Sequence, residues 1–156
     1  MKHDTAAIVA WRNLLAYQAE ATFRIERELK HAGCIPLAAY DVLIELETSD
    51  GKRLRMYDLS KACVLTKSGA TKIVNSLEKQ GYLRREKCPS DLRGLFAAIT
   101  AKGSAAVRKA WPVYRRCIED FFTSGVTAAE LKHLSEILPK LRAKLPDNFM
   151  EPACNS

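Results

Sequence analysis

The sequence predicts a mostly α-helical fold with one small β-hairpin. Apolar residues recur at helical spacing near both ends of the chain, and two short strand-like runs flank a turn-rich loop between residues 82 and 99. A chain of 156 residues fits one domain and can bury a core without metals or disulfides. We divide it into helical regions at 1–35 and 100–145, a central region at 36–99, and a tail at 146–156 that is expected to fray.

The first predicted element is a long helix that runs from Asp4 or Thr5 to about Lys30. Gly33 is its candidate C-cap, and Pro36 is expected to be the first residue of the next helix. The apolar residues of the long helix form a stripe along one side, which a single helix cannot bury alone and which therefore needs a partner. The stripe consists of Ile8, Trp11, Leu15, Ala19, Phe23 and Leu29.

The central region has the pattern of two short helices joined by a turn. A strand is predicted at 54–56, a helix at 57–63 and a second helix at 66–81, which Gly81 ends. Helical spacing turns the apolar residues of the second helix inward and its polar residues outward. The outward residues are Lys67, Ser68, Thr71, Lys72, Asn75 and Lys79.

Positive charge is concentrated in this central region. Residues 52–93 hold eleven Lys or Arg and four acids, a net charge of +7, which equals the net charge of the whole chain. Such a block suits a polyanion, because each neutralised phosphate releases condensed counterions. A merely solvated basic face is the alternative that charge alone leaves open.

A helix-turn-helix within a basic block predicts a regulator that binds double-stranded DNA. The N-terminal end of the second helix enters the major groove in this motif, and it carries Ser68, Thr71 and Lys72. Hydroxyl and ammonium groups can contact base edges there. Asn75, one turn later, can bind adenine or the DNA backbone, and Lys67 is placed to hold a phosphate.

The hairpin that follows is predicted to form a wing beside this helix. Its strands are expected at 82–86 and 95–99, and the basic loop between them places Arg93 near its tip. An arginine at a wing tip suits the narrow, electronegative minor groove of A·T-rich DNA. Asp91 is expected to orient this guanidinium through a charge-assisted hydrogen bond and not to touch DNA.

Two more helices complete the chain. Thr100 begins the first of them, and Pro112 is expected to kink it. Thr127 and Glu130 form a capping box for a last helix, which is predicted from Glu130 to about Lys144.

The central motifs resemble those of the MarR family of bacterial transcription regulators. The run LTKSGATKIVNSLEKQGYLRR carries the T-x-S-G-x-T-[RK] and L-E-x-x-G patterns of the family's recognition helix. The run SDLRGLFAAITAKG is similar to the family's D-x-R-x-x-x-x-x-L-T-x-x-G wing. Three departures are Ile99 for leucine, Lys72 where arginine is commoner, and Val64 at a turn position that glycine often holds. The resemblance covers about Leu54 to Gly103.

The resemblance implies a homodimer whose terminal helices intertwine, which would give the N-terminal apolar stripe its partner. It implies a palindromic operator, repression as the common mode of action, and release from DNA when a small, often aromatic, anion binds. Trp11, Tyr40 and Arg55 are candidates for such an effector pocket. The alternative for Trp11 and Tyr40 is that they are ordinary core or interface aromatics.

The five cysteines indicate neither a metal site nor a disulfide framework. They are odd in number and widely spaced, and no C-x-x-C occurs. Cys63 and Cys117 lie among apolar neighbours and are expected to be small core residues. Cys88 follows three basic residues, which would favour a thiolate, so a thiol-based redox regulator is one alternative and an incidental exposed thiol the other.

The remaining classes of function are disfavoured. No catalytic constellation, glycine-rich phosphate loop or cofactor motif is found, so no catalytic residue, cofactor or metal is assigned. A winged-helix module for protein–protein contact is the other alternative, but the outward face of 66–81 carries lysines and not apolar or acidic residues. Neither a signal peptide nor a membrane segment is recognised, and a cytoplasmic location is expected.

Overall fold

The computed structural model describes residues 5–63, 67–88 and 91–145, and at 67, 68, 70, 88 and 91–94 it describes the backbone alone. The predicted fold class is confirmed, because the chain is mostly α-helical with one small antiparallel sheet. In chain order the elements are α1 (Thr5–His31), α2 (Leu37–Thr48), β1 (Arg53–Arg55), α3 (Met56–Ala62), α4 (Lys67–Lys79), β2 (Leu83–Cys88), β3 (Asp91–Ile99), α5 (Ala101–Ile118) and α6 (Ala128–Arg142). A 3-10 turn (Asp50–Lys52) precedes β1, and a π-helical turn (Glu119–Thr123) follows α5.

The predicted end of the first helix is confirmed at Gly33. Its φ of +61° is one that glycine adopts without steric cost, and the amide of Cys34 closes the turn on the carbonyl of Leu29 at 2.9 Å. The expectation for Pro36 is wrong by one residue, because Pro36 is the N-cap and α2 begins at Leu37. The carboxylate of Glu26 accepts a hydrogen bond from the Leu37 amide at 3.0 Å, so a side chain of α1 caps α2.

Helix α2 lies at the centre of the core. Its buried residues contact residues from α3, α4, the sheet and α5, and the ring centroid of Tyr40 lies 5.0 Å from that of Tyr114 on α5. This continuous packing positions α3 and α4 against the sheet. The fully buried large side chains are Tyr40, Leu29, Leu43, Leu46, Leu59, Leu77, Leu83, Val42, Val74 and Cys117.

The sheet has the order β1-β3-β2, with both pairs antiparallel. The hairpin strands are longer at the tip than predicted, because β2 extends to Cys88 and β3 starts at Asp91. The register shifts near the tip, because Lys87 pairs with Leu95 whereas Cys88 pairs with Asp91. Residues 92–94 of β3 are therefore extra residues between two consecutive pairs of β2. Strand β2 starts one residue later than predicted, since the amide of Tyr82 still bonds to the carbonyl of Leu77 at the end of α4.

The predicted N-terminal caps of both C-terminal helices are confirmed, although α6 begins at Ala128, two residues before the predicted Glu130. Thr100 caps α5 by accepting from the amide of Gly103, and the capping box of Thr127 and Glu130 opens α6. Helix α5 continues as an α-helix through Pro112, and the kink there stays a prediction. In the described ranges none of these helices is both long and apolar enough to cross a membrane.

Candidate nucleic-acid interface

Helix α4 presents one apolar and one polar side, as the sequence predicts. Val74 and Leu77 are buried and Ile73 is half-buried, so these three side chains fix the helix to the core. The remaining surface of α4 is polar, and its exposed residues are Thr71, Lys72, Asn75, Ser76 and Lys79. Two predicted contact residues, Lys67 and Ser68, belong to the first turn of α4, but their side chains lie outside the described part of the chain.

A guanidinium that sequence reasoning missed joins α4 to the wing. Arg85 on β2 forms an ion pair with Glu78 on α4, and its amide also donates to Glu78 at 3.2 Å. Its Nη2 donates to Oδ1 of Asn75 at 2.5 Å. The strand alternation was the available signal, since Arg85 is two residues after the buried Leu83 and therefore shares its face.

This bridge changes the expectation for Asn75. Bidentate recognition of adenine uses both the carbonyl oxygen and the amide nitrogen of an asparagine. The oxygen of Asn75 already accepts from Arg85, whereas its amide nitrogen is a donor that a phosphate can accept from. Both alternatives for Asn75, adenine and the DNA backbone, stay predictions.

The C-terminal end of α4 is held by the start of α5. The hydroxyl of Thr100 donates to the carbonyl of Gly81 at 2.8 Å, and Lys102 Nζ donates to the carbonyl of Gln80 at 2.7 Å. A cation at a helix C-terminus stabilises both the exposed carbonyls and the helix dipole. Helix α4 is thus connected to β2 through Arg85 and to α5 through this cluster.

The two predicted wing residues are placed by their backbone alone. Arg93 and Asp91 belong to strand β3, and the loop that was expected to carry Arg93 near its tip is shorter than predicted. Since β2 extends to Cys88 and β3 starts at Asp91, the expectation of a loop over 87–94 is wrong at both of its ends. Both side chains lie outside the described part, and the Asp91–Arg93 contact stays a prediction.

The three candidate effector residues occupy different environments. Trp11 on α1 is 60% exposed, whereas Tyr40 on α2 is 2% exposed, and burial raises the pKa of its hydroxyl. The guanidinium of Arg55 lies over the Phe96 ring, 5.7 Å from its centroid. A cavity of about 550 Å³ has a different lining, namely Phe23, Glu26, Arg27, Lys30, Cys34 and Pro36.

The cysteine predictions are confirmed for Cys117 and in part for Cys63. Cys117 is buried, and Cys63 is half-buried with its sulfur 3.7 Å from the carbonyl oxygen of Asp41. Burial raises the pKa of Cys63 to about 12, which disfavours a thiolate. Cys88 ends β2 and does not lie in a loop, but its side chain is outside the described part and its redox role stays a prediction. In the described ranges no cluster of three or more His, Cys, Asp or Glu could hold a metal ion.

Comparison with known proteins identifies the family. A family model described as MarR family matches residues 35–94. AbsC, a MarR family transcriptional regulator from Streptomyces coelicolor, is 30% identical with a TM-score of 0.80, and the match covers 92% of this chain and 99% of AbsC. The chain belongs to the MarR family. This MarR-family chain therefore has the family's winged-helix fold, as its motifs predict.

Other relatives agree with this assignment. Sco3205 from Streptomyces coelicolor, a MarR family transcriptional regulator solved in complex with DNA, is 29% identical with a TM-score of 0.87, over 95% of this chain and 97% of Sco3205. The transcriptional repressor MprA from Escherichia coli is 30% identical over 103 residues, which are 66% of this chain and 58% of MprA. The match thus spans less than two thirds of the length of MprA.

Proposed function

We propose that this MarR-family protein is a homodimeric repressor that binds a palindromic operator in duplex DNA. The observation that carries the proposal is the exposed polar side of α4, which Arg85 joins to the β2–β3 wing. A helix and a wing in one fixed geometry can enter a major groove and the adjacent minor groove together. In this arrangement Thr71 and Lys72 contact base edges, and Asn75 and Lys79 hold phosphates.

The relatives support the DNA part of this proposal. Sco3205, which matches almost the full length of this chain, was solved bound to DNA. MprA is a transcriptional repressor, which supports repression as the mode of action. The exposed lysines of α4 favour DNA over a protein partner, since an interface core is depleted of lysine.

The homodimer is supported by the apolar side chains that the terminal helices expose. A monomer seldom exposes so many large apolar residues on two elements, and a dimer with intertwined ends would bury most of them. Two copies of α4 would then meet half-sites about 34 Å apart. The exposed apolar residues of α1, α6 and the turn after α6 are Ile8, Val9, Trp11, Leu14, Leu15, Tyr17, Phe23, Ile137, Leu138, Leu141 and Leu145.

Release by a small effector is part of the proposal. Trp11 and Arg55 are its exposed candidate contacts, whereas Tyr40, the third candidate, is 2% exposed and would be reached only if its packing opened. The exposed Trp11 ring and the cationic Arg55 have the chemistry that an aromatic anion requires. The test is a titration of the protein–DNA complex with aromatic carboxylates of different ring size. Dissociation that Trp11→Ala abolishes supports the assignment, and dissociation that this variant leaves unchanged contradicts it.

The DNA proposal is tested by selection from a random-sequence duplex library. We expect an enriched inverted repeat whose binding weakens with salt, because phosphate contacts release counterions. Thr71→Ala and Arg93→Ala should each weaken binding to the selected sequence, the second through loss of the wing contact. Selection that enriches no inverted repeat would contradict the proposed function.

A further inference from the structure

The outer face of the sheet carries a second basic surface, separate from α4. Cross-strand partners share a face, so the register aligns Arg53, Ala98 and Arg84 in one row across the sheet and Arg55, Phe96 and Glu86 in another, with the β3 residue in the middle of each row. The opposite face carries the buried Leu83 and Ala97 and the Arg85 that bridges to α4. The outer sheet face therefore consists of Arg53, Arg55, Arg84, Glu86, Phe96 and Ala98.

Part of the positive charge of residues 52–93 lies on this face and not on α4. Three arginines and one glutamate give it a net charge of +2. The side chains of Arg84 and Arg53 are 62% and 47% exposed. A solvated positive patch of this kind attracts a polyanion.

The guanidinium groups on this face are held in place. Nε and Nη2 of Arg84 lie 2.9 and 2.7 Å from one carboxylate oxygen of Glu86, and Nη1 of Arg53 lies 3.4 Å from the other. Arg53 and Arg55 also lie over the Phe96 ring, 5.1 and 5.7 Å from its centroid. A guanidinium has five N–H donors in a planar fork, which is more than these bonds use, and the fork matches two phosphate oxygens.

The position of the face indicates which polyanion it meets. Helix α4 packs on the inner side of the sheet, so the outer face lies on the side of the wing that is remote from the recognition helix. If α4 enters a major groove and the wing follows the duplex outward, the outer sheet face meets DNA beyond the half-site. It offers guanidinium groups and one half-buried ring there, which suit phosphate contacts and not base recognition.

We propose that the outer sheet face binds the phosphate backbone of duplex DNA that flanks each half-site, with Arg84 and Arg53 as the phosphate contacts. This inference rests on the proposed function. It extends the footprint of each protomer by contacts that are independent of sequence. Glu86 orients the two guanidinium groups and also limits the positive charge of the face.

The test compares two duplexes with the wild-type protein and its variants. The short duplex contains the selected inverted repeat alone, and the long duplex adds about ten random base pairs, one helical turn, on each side. Affinities are measured by fluorescence anisotropy between 50 and 200 mM salt. For the wild type we expect the long duplex to bind more tightly, with a steeper salt dependence. The readout is the long-to-short affinity ratio, because a general change of charge alters both affinities together.

Arg84→Gln should lower this ratio and leave binding to the short duplex unchanged. For a dimer that loses two phosphate contacts, the salt slope on the long duplex should fall by about 1.8, at about 0.9 for each phosphate. Glu86→Gln should raise the ratio, a change in the direction that misfolding cannot produce. Arg115→Gln on α5 is the matched control, since it removes one exposed charge with a carboxylate partner and should leave the ratio unchanged.

Two results would overturn this inference and leave the proposed function intact. One is a ratio that neither Arg84→Gln nor Glu86→Gln alters, and the other is equal weakening of both duplexes by Arg84→Gln. A selection that returns no inverted repeat would overturn the proposed function, and this inference with it.

Discussion

Gly103 lies where the first turn of α5 touches Tyr82, three residues after the end of α4, and its missing side chain allows this contact. A Cβ at this position would overlap the carbonyl oxygen of Tyr82 and lie 2.6 Å from Cγ1 of Ile99. Backbone atoms cannot move aside as a flexible side chain does, so the helix itself would have to shift. The same close approach brings Thr100 and Lys102 to the carbonyls that they bond.

Gly103→Ala should therefore destabilise the protein by about 2 kcal/mol, as overpacking of a tight contact does. Denaturant unfolding followed by circular dichroism measures this change. Gly125→Ala is the control, because no heavy atom lies within 4 Å of the added Cβ there. We expect the control to stay within about 0.5 kcal/mol of the wild type. Equal stability of the two variants would contradict the overlap at Gly103.

Asp41 on α2 is a carboxylate whose ionisation opposes folding. Burial raises its pKa to about 6, and the nearby charges of Glu26 and Glu45 add to the shift. An acid whose pKa is raised in the folded state binds more protons when folded than when unfolded. The contribution of Asp41 to the free energy of unfolding is therefore highest below about pH 4, and it falls as the pH rises to about 6.

Asp41→Asn should stabilise the protein at pH 8 by about 1 kcal/mol, less than the full shift implies because the carboxylate is partly exposed. The gain should shrink as the pH falls and vanish near pH 4. Urea unfolding at intervals between pH 4 and 8 measures it, with Asp50→Asn in the exposed turn before β1 as the control. A gain that is independent of pH would show that ionisation of Asp41 is not its source.

At the level of elements, the sequence predicted the features that depend on residues close together along the chain. Apolar periodicity predicted α1 and α4, and local turn chemistry predicted the glycine end at Gly33 and the capping box at Thr127. The predicted strands of the hairpin were too short. Turn-forming residues near the tip predicted a loop there, whereas the strand register pairs Cys88 with Asp91. The Arg85 bridge was missed for a similar reason, since its partners belong to another element. The division of the basic block between α4 and the outer sheet face also depends on that register.

The Arg85 bridge makes a prediction about the joint action of α4 and the wing. Glu78→Gln removes a negative charge near the proposed interface, and charge alone would strengthen DNA binding. The substitution also weakens the ion pair that fixes Arg85 between Glu78 and Asn75. We expect the loss of fixed geometry to prevail, so that affinity for the selected duplex falls several-fold. A titration by fluorescence anisotropy shows whether the affinity of Glu78→Gln for the selected duplex falls or rises.

Arg85→Lys is the companion variant, because it keeps the charge and loses the planar fork that bonds two partners at once. It should weaken binding in the same direction as Glu78→Gln. If Glu78→Gln binds DNA more tightly than the wild type, charge and not geometry governs this part of the interface.

At the level of the whole molecule, two kinds of surface remain after the core has formed. The central region exposes basic side chains on α4 and on the outer sheet face, and the terminal helices expose apolar ones. The first kind suits DNA, and the second suits a second copy of the chain. The proposed operator is a palindrome, which repeats each half-site, so under this proposal the two surfaces would act together only when two copies are joined.

Leu141→Glu should therefore convert a dimer into a monomer at micromolar concentration. The side chain of Leu141 on α6 is 56% exposed, so a charge there leaves the core of one chain intact but would be buried in a dimer. Tyr57→Glu on α3 is the matched control, at 65% exposure on a helix outside the terminal regions. Sedimentation velocity should show a monomer for the first variant and a dimer for the second. Loss of the second half-site should lower affinity for the palindrome by about tenfold or more. A wild-type monomer at this concentration, or a Leu141→Glu variant that stays dimeric, would contradict the proposed interface.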